Sequence, residues 1–490
     1  MQSWLKITFI LCAFGTLREI RPSEPFVTEF LSGEWRNITM DQLTRDVYPV
    51  GTYSYLTQLV LVFLITDFLR FKPVIILSGK FSFFPQYYWP QRHGSLRVNL
   101  EKTYLFTLDL KALFLNNNQI VCKNQMRMKN HFVIGLSGIS VYAVLLWTKS
   151  LQWLQVSQFL YGLYMATEVA YLTYIYAKVE SDKYPRVSSY TRIAALTGRF
   201  LSGGSSQLLV HYEVMDYREL NYITFSAQIL ATCWAFLLPA VPYGIYFHRK
   251  TAASDSTPIK SPPRSLRTNV SRACALVARH ARAAYSRGAV LGWSALYAAA
   301  LALFVQAQTY VQVLWAQIQM ESEAPVTYNG AVEAVQTLLG ALGAFTASWY
   351  AHAWAPAPVA VVQAAAVFVG THVGNVYASY AGYIVMGMLF HYTITLASAN
   401  IASQLSDDSC FGLIFGINTL LGTGLQAILT LVLIQTLDLT IYTQYYCLSG
   451  LFLLLSVCWL IGWIVHVFRQ NRSVSISNHL YEGEMVDRKM

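Results

Sequence analysis

The stretch AVQTLLGALGAFTASWYAHAWAPAPVAVVQAAAVFVGTHVGNVYASYAGYIVMGMLFHYTITLASANIASQLS, from Ala334 to Ser406, contains no Asp, Glu, Lys or Arg. A bilayer core takes about 20 residues of helix to cross, so this run alone has room for about three crossings. The rest of the 490-residue chain has the same character: 55% hydrophobic, 14% aromatic and only 12% charged, about half the charged share of an ordinary soluble domain. A soluble enzyme, a disordered chain and a secreted disulfide scaffold are excluded. Seven cysteines (Cys12, Cys122, Cys233, Cys274, Cys410, Cys447, Cys458) are scattered, without the spacing of a zinc site or a disulfide framework.

Outward from that run, apolar stretches bounded by charges or turn residues predict twelve spans. Six lie near 4–30, 48–68, 132–149, 151–177, 187–210 and 221–247; six more lie near 289–318, 328–350, 356–375, 377–402, 410–436 and 441–467. The pattern is that of an all-α polytopic membrane protein of the major-facilitator type, with 12 transmembrane helices in two six-helix halves. The halves run over 1–247 and 289–467, joined by a basic loop at 248–288 and followed by a tail at 468–490.

The formal net charge of +10 is explained by topology rather than by nucleic acid. Nine Lys and Arg fall between Arg249 and Arg287 against the single Asp255, which marks a cytoplasmic loop under the positive-inside rule. Alternate short loops agree. One side holds Arg70, Lys72, Lys178, Lys183, Arg186, Arg469 and Arg472; the other holds Glu213, Asp216 and Glu219 against Arg218, then Glu321, Glu323 and Asp438. Both termini are therefore expected in the cytoplasm. Asn37-Ile38-Thr39 is a sequon in the first outside loop, where Asn37 is the expected glycosylation site. Trp4 to Leu17 is followed by no A-x-A-like cleavage site, and the chain continues directly into Pro25, Phe26 and Val27, so it is read as a first span rather than a signal peptide.

Residues 80–131 break the pattern. The apolar VIILSG at 74–79 stops at Lys80, and a near copy, VIGLSG at 133–138, restarts the span after some fifty polar and basic residues. Such a block cannot stay in lipid, because its backbone groups would be unpaired there. It is either a cytoplasmic extension preceding a true third span at 132–149, or an artefact of gene structure such as retained non-coding sequence.

Few residues in the spans can carry chemistry. Glu168 is the only acid between Lys149 and Lys178, and a carboxylate at mid-membrane usually faces a polar cavity and has a function there. Tyr161, Tyr164 and Tyr171 stand at i−7, i−4 and i+3 from it, on one helix face. Phenol rings beside a carboxylate form a receptor for an organic cation; the alternative is a Tyr stripe at a helix interface, with Glu168 bound to a neighbouring helix. Glu333 follows Tyr328-Asn329-Gly330 at the start of the eighth span, where it either lines the cavity or reaches water at the interface. Gln308, Gln312 and Trp315 recur at i, i+4 and i+7 with Thr309 beside them; amides there read a polar ring or join helices. Glu24, on the first span, either joins the site or pairs internally with Arg18 and Arg21. His391 is a proton relay or a satisfied interhelical donor. No phosphate-binding glycine loop with a following Lys and no paired nucleophile and base occurs, so an ATP-driven pump and a hydrolase are not expected, nor is a cofactor or a metal.

Eight stretches together resemble the reduced folate and thiamine carrier family: RPSEPF (21–26), PVGTYSYL (49–56), TDFLRFKPVIIL (66–77), YGLYMATEVAYLTYIY (161–176), YPRVSSYTR (184–192), YVQVLW (310–315), YNGAVEA (328–334) and FGINT (415–419). The resemblance implies a major-facilitator-type vitamin carrier of the plasma membrane. Folate carriers of this type have Arg where this chain has Glu168, and basic residues where it has Gly387 and Gln426, so the resemblance points to the thiamine branch. It implies substrate contacts at Glu24, Tyr48, Glu168, Tyr171 and Gln312, with Glu333 in support, and Tyr164 joins them on the helix-face argument. Two departures matter. Gly51 replaces a Trp in the PVxTYSYL motif, and Thr309 replaces an Asn just before YVQ. The expectation is uptake of thiamine or a related cationic vitamin by alternating access, with pyridoxine or folate as further candidate substrates; the alternatives are a reduced folate carrier and a transport-dead receptor or scaffold.

Overall fold

The structure is a computed structural model that describes residues 3–68, 129–178, 184–235, 237, 275, 278–322, 327–347, 349–405 and 411–487. The first half contains α1 (Ser3–Glu19), a short α2 (Val27–Ser32), α3 (Tyr48–Phe68), α4 (Lys129–Trp147), α5 (Leu151–Lys178), α6 (Tyr184–His211) and α7 (Glu219–Ala235). The second half contains α8 (Gly288–Ser322), α9 (Asn329–Thr346), α10 (Pro356–His372), α11 (Val376–Gln404), α12 (Phe411–Thr430) and α13 (Ile441–Asp487). Twelve of these are 17 residues or longer and lie where spans are expected.

Four stretches among the described residues, Gly288–Ser322, Val376–Gln404, Gly412–Thr436 and Ile441–Phe468, are long and apolar enough on their own to cross a membrane. Leu136–Trp147 and Pro356–His372 are shorter apolar helices. Others are diluted by polar residues that packing buries: Gln207 and Ser206 in α6, Asn221, Thr224 and Gln228 in α7.

Local chemistry fixes several helix ends. Pro356 opens α10, where its missing N–H has no intrahelical partner to lose. Asn375 caps α11 by accepting from Tyr377 N–H at 2.8 Å. Asp216 and Glu219 cap α7 reciprocally, each carboxylate accepting from the other's backbone N–H at 2.6 and 3.0 Å. With no proline after Ile441 to stop it, α13 continues as one helix to Asp487 through the residues expected as a tail.

The expected continuous first span is broken. α1 ends at Glu19, residues 20–23 are not helical, Glu24–Phe26 is a single 3-10 turn, and α2 resumes at Val27. Pro22 and Pro25 cause this, since each lacks a backbone donor and disfavours helix at the residue before it.

Packing sorts the helices into two groups. Within the first, α1 lies on α6 and α7, α3 on α5, and α4 on α5 and α7; within the second, α9 and α10 lie on α11, α10 on α13, and α8 on α11 and α12. The short α2 touches α8, and among the long helices the groups meet through two pairs, α3 with α12 and α6 with α9. These are spans 2 and 11 and spans 5 and 8 of the sequence count, pairs that a two-fold axis relating the halves would exchange. At the α6–α9 crossing a Cβ on Gly203 would lie 2.6 Å from Gly330 O, and one on Gly330 would lie 2.7 Å from Gly203 O. Only glycine lets these backbones approach so closely.

At the end of the bundle carrying Asn37, several contacts bridge the two groups. Gln207 clamps the start of α9, donating to Thr327 O (3.1 Å) and accepting from Ala331 N–H (3.2 Å). Arg45 pairs with Asp438 at 2.7 Å, and Tyr53 O–H donates to Gln435 at 3.0 Å. Exposed Asn37 sits in a tight turn at φ 53°, a left-handed conformation that Asn tolerates. Beside it the Trp35 ring has the cations of Arg218 and Lys149 at 3.4 and 3.9 Å, and Arg36 donates to the Leu145 carbonyl at the end of α4 (3.0 Å). Most of the 80–131 block, and the central basic cluster from Arg249 to Arg272, lie outside the described residues.

Candidate substrate site

The break in the first span creates the site. A non-helical segment inside a membrane must have its backbone groups satisfied by neighbouring protein, and here side chains from four helices do so. Arg18 O accepts from Tyr164 O–H on α5 and from Gln228 Nε2 on α7, both at 3.0 Å. Arg21 N–H donates to Ser202 Oγ on α6 (2.9 Å), and Ser23 N–H to Thr224 Oγ1 on α7 (3.3 Å). From the other half, Gln312 on α8 donates to Glu24 O (2.8 Å) and accepts from Thr28 N–H (3.1 Å).

The broken segment carries Arg18, Glu19, Arg21 and Glu24, and the first three are only 3%, 4% and 5% exposed. Arg21 bridges two acids, Glu19 at 2.6 Å and Glu24 at 2.5 Å. Arg199 from α6 is the second partner of Glu19, at 2.8 Å. Arg18 turns the other way. Its Cζ lies 4.7 Å from the centre of the Tyr164 ring, its Nη2 donates to Tyr164 O at 3.2 Å, and its Nη1 is 3.9 Å from Glu168 Oε2. Of the two internal partners weighed for Glu24, Arg21 is the one bound; Arg18 belongs to Glu168.

The α5 face does point at this cluster. Tyr161 O–H donates to Glu24 at 3.2 Å, as does Tyr142 O–H from α4 at 3.3 Å, and the Tyr161 and Tyr164 rings lie 6.2 Å apart. Tyr171 is on the same helix, but its side chain lies outside the described residues. Tyr48 is one step removed: its O–H shares a hydrogen bond with Thr28 Oγ1 (2.8 Å), and its ring meets Tyr310 edge-on.

Across the cleft, Glu333 on α9 accepts from Tyr383 O–H at 3.1 Å. It forms no ion pair with Lys or Arg among the described residues. Glu29, nearer the Asn37 end, accepts from Asn329 Nδ2 at 2.7 Å, and its other oxygen is buried without a hydrogen-bond partner among the described residues. Thr309 donates to Val305 O within its own helix (2.7 Å) and takes a long contact of 3.5 Å from Gln426. His391 packs against Phe304, Phe390 and the Cα of Gly340. At Gly51 a Cβ would meet Gln158 Oε1 at 2.7 Å, so the amide of Gln158 packs directly against the glycine.

In charge terms the cluster holds three guanidiniums, Arg18, Arg21 and Arg199, against four carboxylates, Glu19, Glu24, Glu168 and Glu333. The excess is negative, and aromatic rings surround it. A net negative charge of this kind favours a cation over an anion.

Residues 2–88 and 124–447 match the family model described as the reduced folate carrier. The chain belongs to the reduced folate carrier family. It is a membrane vitamin carrier with a major-facilitator-type fold. The carrier is 30% identical to thiamine transporter 1 of Homo sapiens over 519 residues, covering 96% of this chain and 92% of that one. It is 29% identical to folate transporter 1 of Caenorhabditis elegans over 498 residues, covering 98% and 97%. Among solved structures, the crystal structure of the POT family transporter PepTSo matches with a TM-score of 0.60 at 12% identity, covering 96% of the carrier and 99% of that chain. The family match omits 89–123, which lies inside the 80–131 block.

Three members of the carrier's charge cluster escape a span-by-span reading. Glu19 and Arg199 are charges within apolar spans, a signal in itself, and Tyr142 is one of many span tyrosines without any distinguishing mark.

Proposed function

We propose that the carrier takes up thiamine or a related cationic vitamin across the plasma membrane by alternating access, with both termini in the cytoplasm. The excess of carboxylates over guanidiniums in a ring-lined cleft carries this reading. Glu168 is the counter-ion of the substrate, and Tyr164 and Tyr171 are ring contacts. Glu24 and Glu333 supply negative potential from the two halves. Tyr48, Thr309 and Gln312 shape the outer wall, with Gln312 also tying the broken first span to α8. The halves rock about this site, and the positive-inside orientation makes closure at the Asn37 end closure toward the outside. The similarity to human thiamine transporter 1 supports the reading.

A second reading has its own support. Arg18 presents a guanidinium beside Glu168, a partner for an anionic vitamin, and the folate transporter of Caenorhabditis elegans is as similar as the thiamine relative. Labelled thiamine uptake in transporter-null cells, with excess unlabelled folate or pyridoxine as competitors, separates the two. Saturable thiamine uptake resistant to folate is expected. Folate uptake without thiamine uptake establishes the second reading, and a surface-expressed chain moving neither is a receptor or scaffold.

A further inference from the structure

We propose that Arg18 is a built-in stand-in for the substrate cation: it neutralises Glu168 in the empty carrier and is displaced when a cationic vitamin binds. This rests on the cation-carrier reading above.

The contacts of the Arg18 guanidinium are those a planar organic cation would make in the same place: the face of the Tyr164 ring at 4.7 Å, the Glu168 carboxylate at 3.9 Å and one backbone carbonyl at 3.2 Å. A delocalised flat cation over a phenol ring is the general geometry of cation–π recognition. Arg18 is held loosely compared with its neighbour. Arg21 grips two carboxylates at 2.5 and 2.6 Å, whereas Arg18 has one at 3.9 Å among the described residues.

A carrier working by alternating access must return empty, and a carboxylate left without a cation is costly to carry through a closed, dehydrated state. With Arg18 in place the pair is neutral in the empty carrier. With substrate in place Glu168 is neutralised by the substrate instead, and Arg18 is displaced from it. Arg18 thereby lowers the apparent affinity for substrate, because it competes for Glu168, and speeds the empty return.

The test compares net uptake into empty cells with exchange against preloaded unlabelled thiamine, using the full chain in transporter-null cells. Surface abundance is measured in each case. Arg18→Gln is expected to lower the half-saturation concentration in exchange by about tenfold, the scale of one charge-assisted contact, and to reduce net uptake relative to exchange by a similar factor. Arg18→Lys, which keeps the charge, should retain much of the wild-type ratio. The double variant Arg18→Gln with Glu168→Gln should recover the ratio while losing affinity, since neither charge then remains. An unchanged half-saturation and net-to-exchange ratio in Arg18→Gln at normal surface level overturns the proposal. So does loss of both transport modes in Arg18→Gln with rescue by Lys, which makes Arg18 a direct contact. Failure of the cation-carrier reading looks different: the wild type then exchanges no thiamine and instead carries folate, and Arg18→Gln abolishes that.

Discussion

Glu168→Gln keeps the shape and hydrogen-bonding capacity of the side chain and removes only its charge. The structure separates its effect on folding from its effect on transport. Glu168 is 36% exposed and its ion pair with Arg18 is long at 3.9 Å, while Arg18 keeps the Tyr164 ring and the Tyr164 carbonyl as partners. The variant should therefore fold and reach the surface. For a bound cation at about 4 Å, the lost attraction lies between ~1 kcal/mol in a water-like medium and ~4 kcal/mol at an effective dielectric of 20. Charge-assisted contacts measured by mutation fall at about 1.5–3 kcal/mol. The expected loss is thus about 10- to 150-fold in affinity, read as a raised half-saturation for thiamine in transporter-null cells with surface biotinylation as the control. Unchanged half-saturation and rate at normal surface level would make Glu168 a structural carboxylate and refute the charge argument for the substrate.

Three further outcomes are expected. Gly330→Ala places a methyl group 2.7 Å from the Gly203 carbonyl, so closure at the Asn37 end should be impaired, and a cysteine introduced near that crossing should react faster with an impermeant thiol reagent than in the parent chain. Deleting 80–138 joins VIILSG to ISVYAVLLW and restores one apolar span; uptake and surface expression should be equal or better, whereas lost uptake together with abundant native peptides from the block would make it a genuine part of the protein. An epitope at Ser256 should stain only permeabilised cells, and Asn37→Gln should remove the glycosidase-sensitive shift in gel mobility; staining of intact cells would invert the topology.

The positions of the helices were legible in the sequence, because an apolar run bounded by charges is a local property that a bilayer or a packed bundle reads directly. The α5 face was legible too: Tyr161, Tyr164 and Glu168 share it by helical period alone, and the cluster they face is where the period directs them. What tertiary structure decided was the pairing. From composition Arg18 and Arg21 were equivalent neighbours of Glu24; only the rotation of α1 against α5 and α6 sends Arg21 to Glu19 and Glu24 and Arg18 to Tyr164 and Glu168. The break after Glu19 had its cause in Pro22 and Pro25, but its tolerance within the bundle depends on Ser202, Thr224, Gln228 and Gln312 arriving from other helices to take up the freed backbone groups. Periodicity determines which residues share a face. Which face meets which, at what depth and rotation, is set by the packing of whole helices, and on that depend the partners of every buried charge.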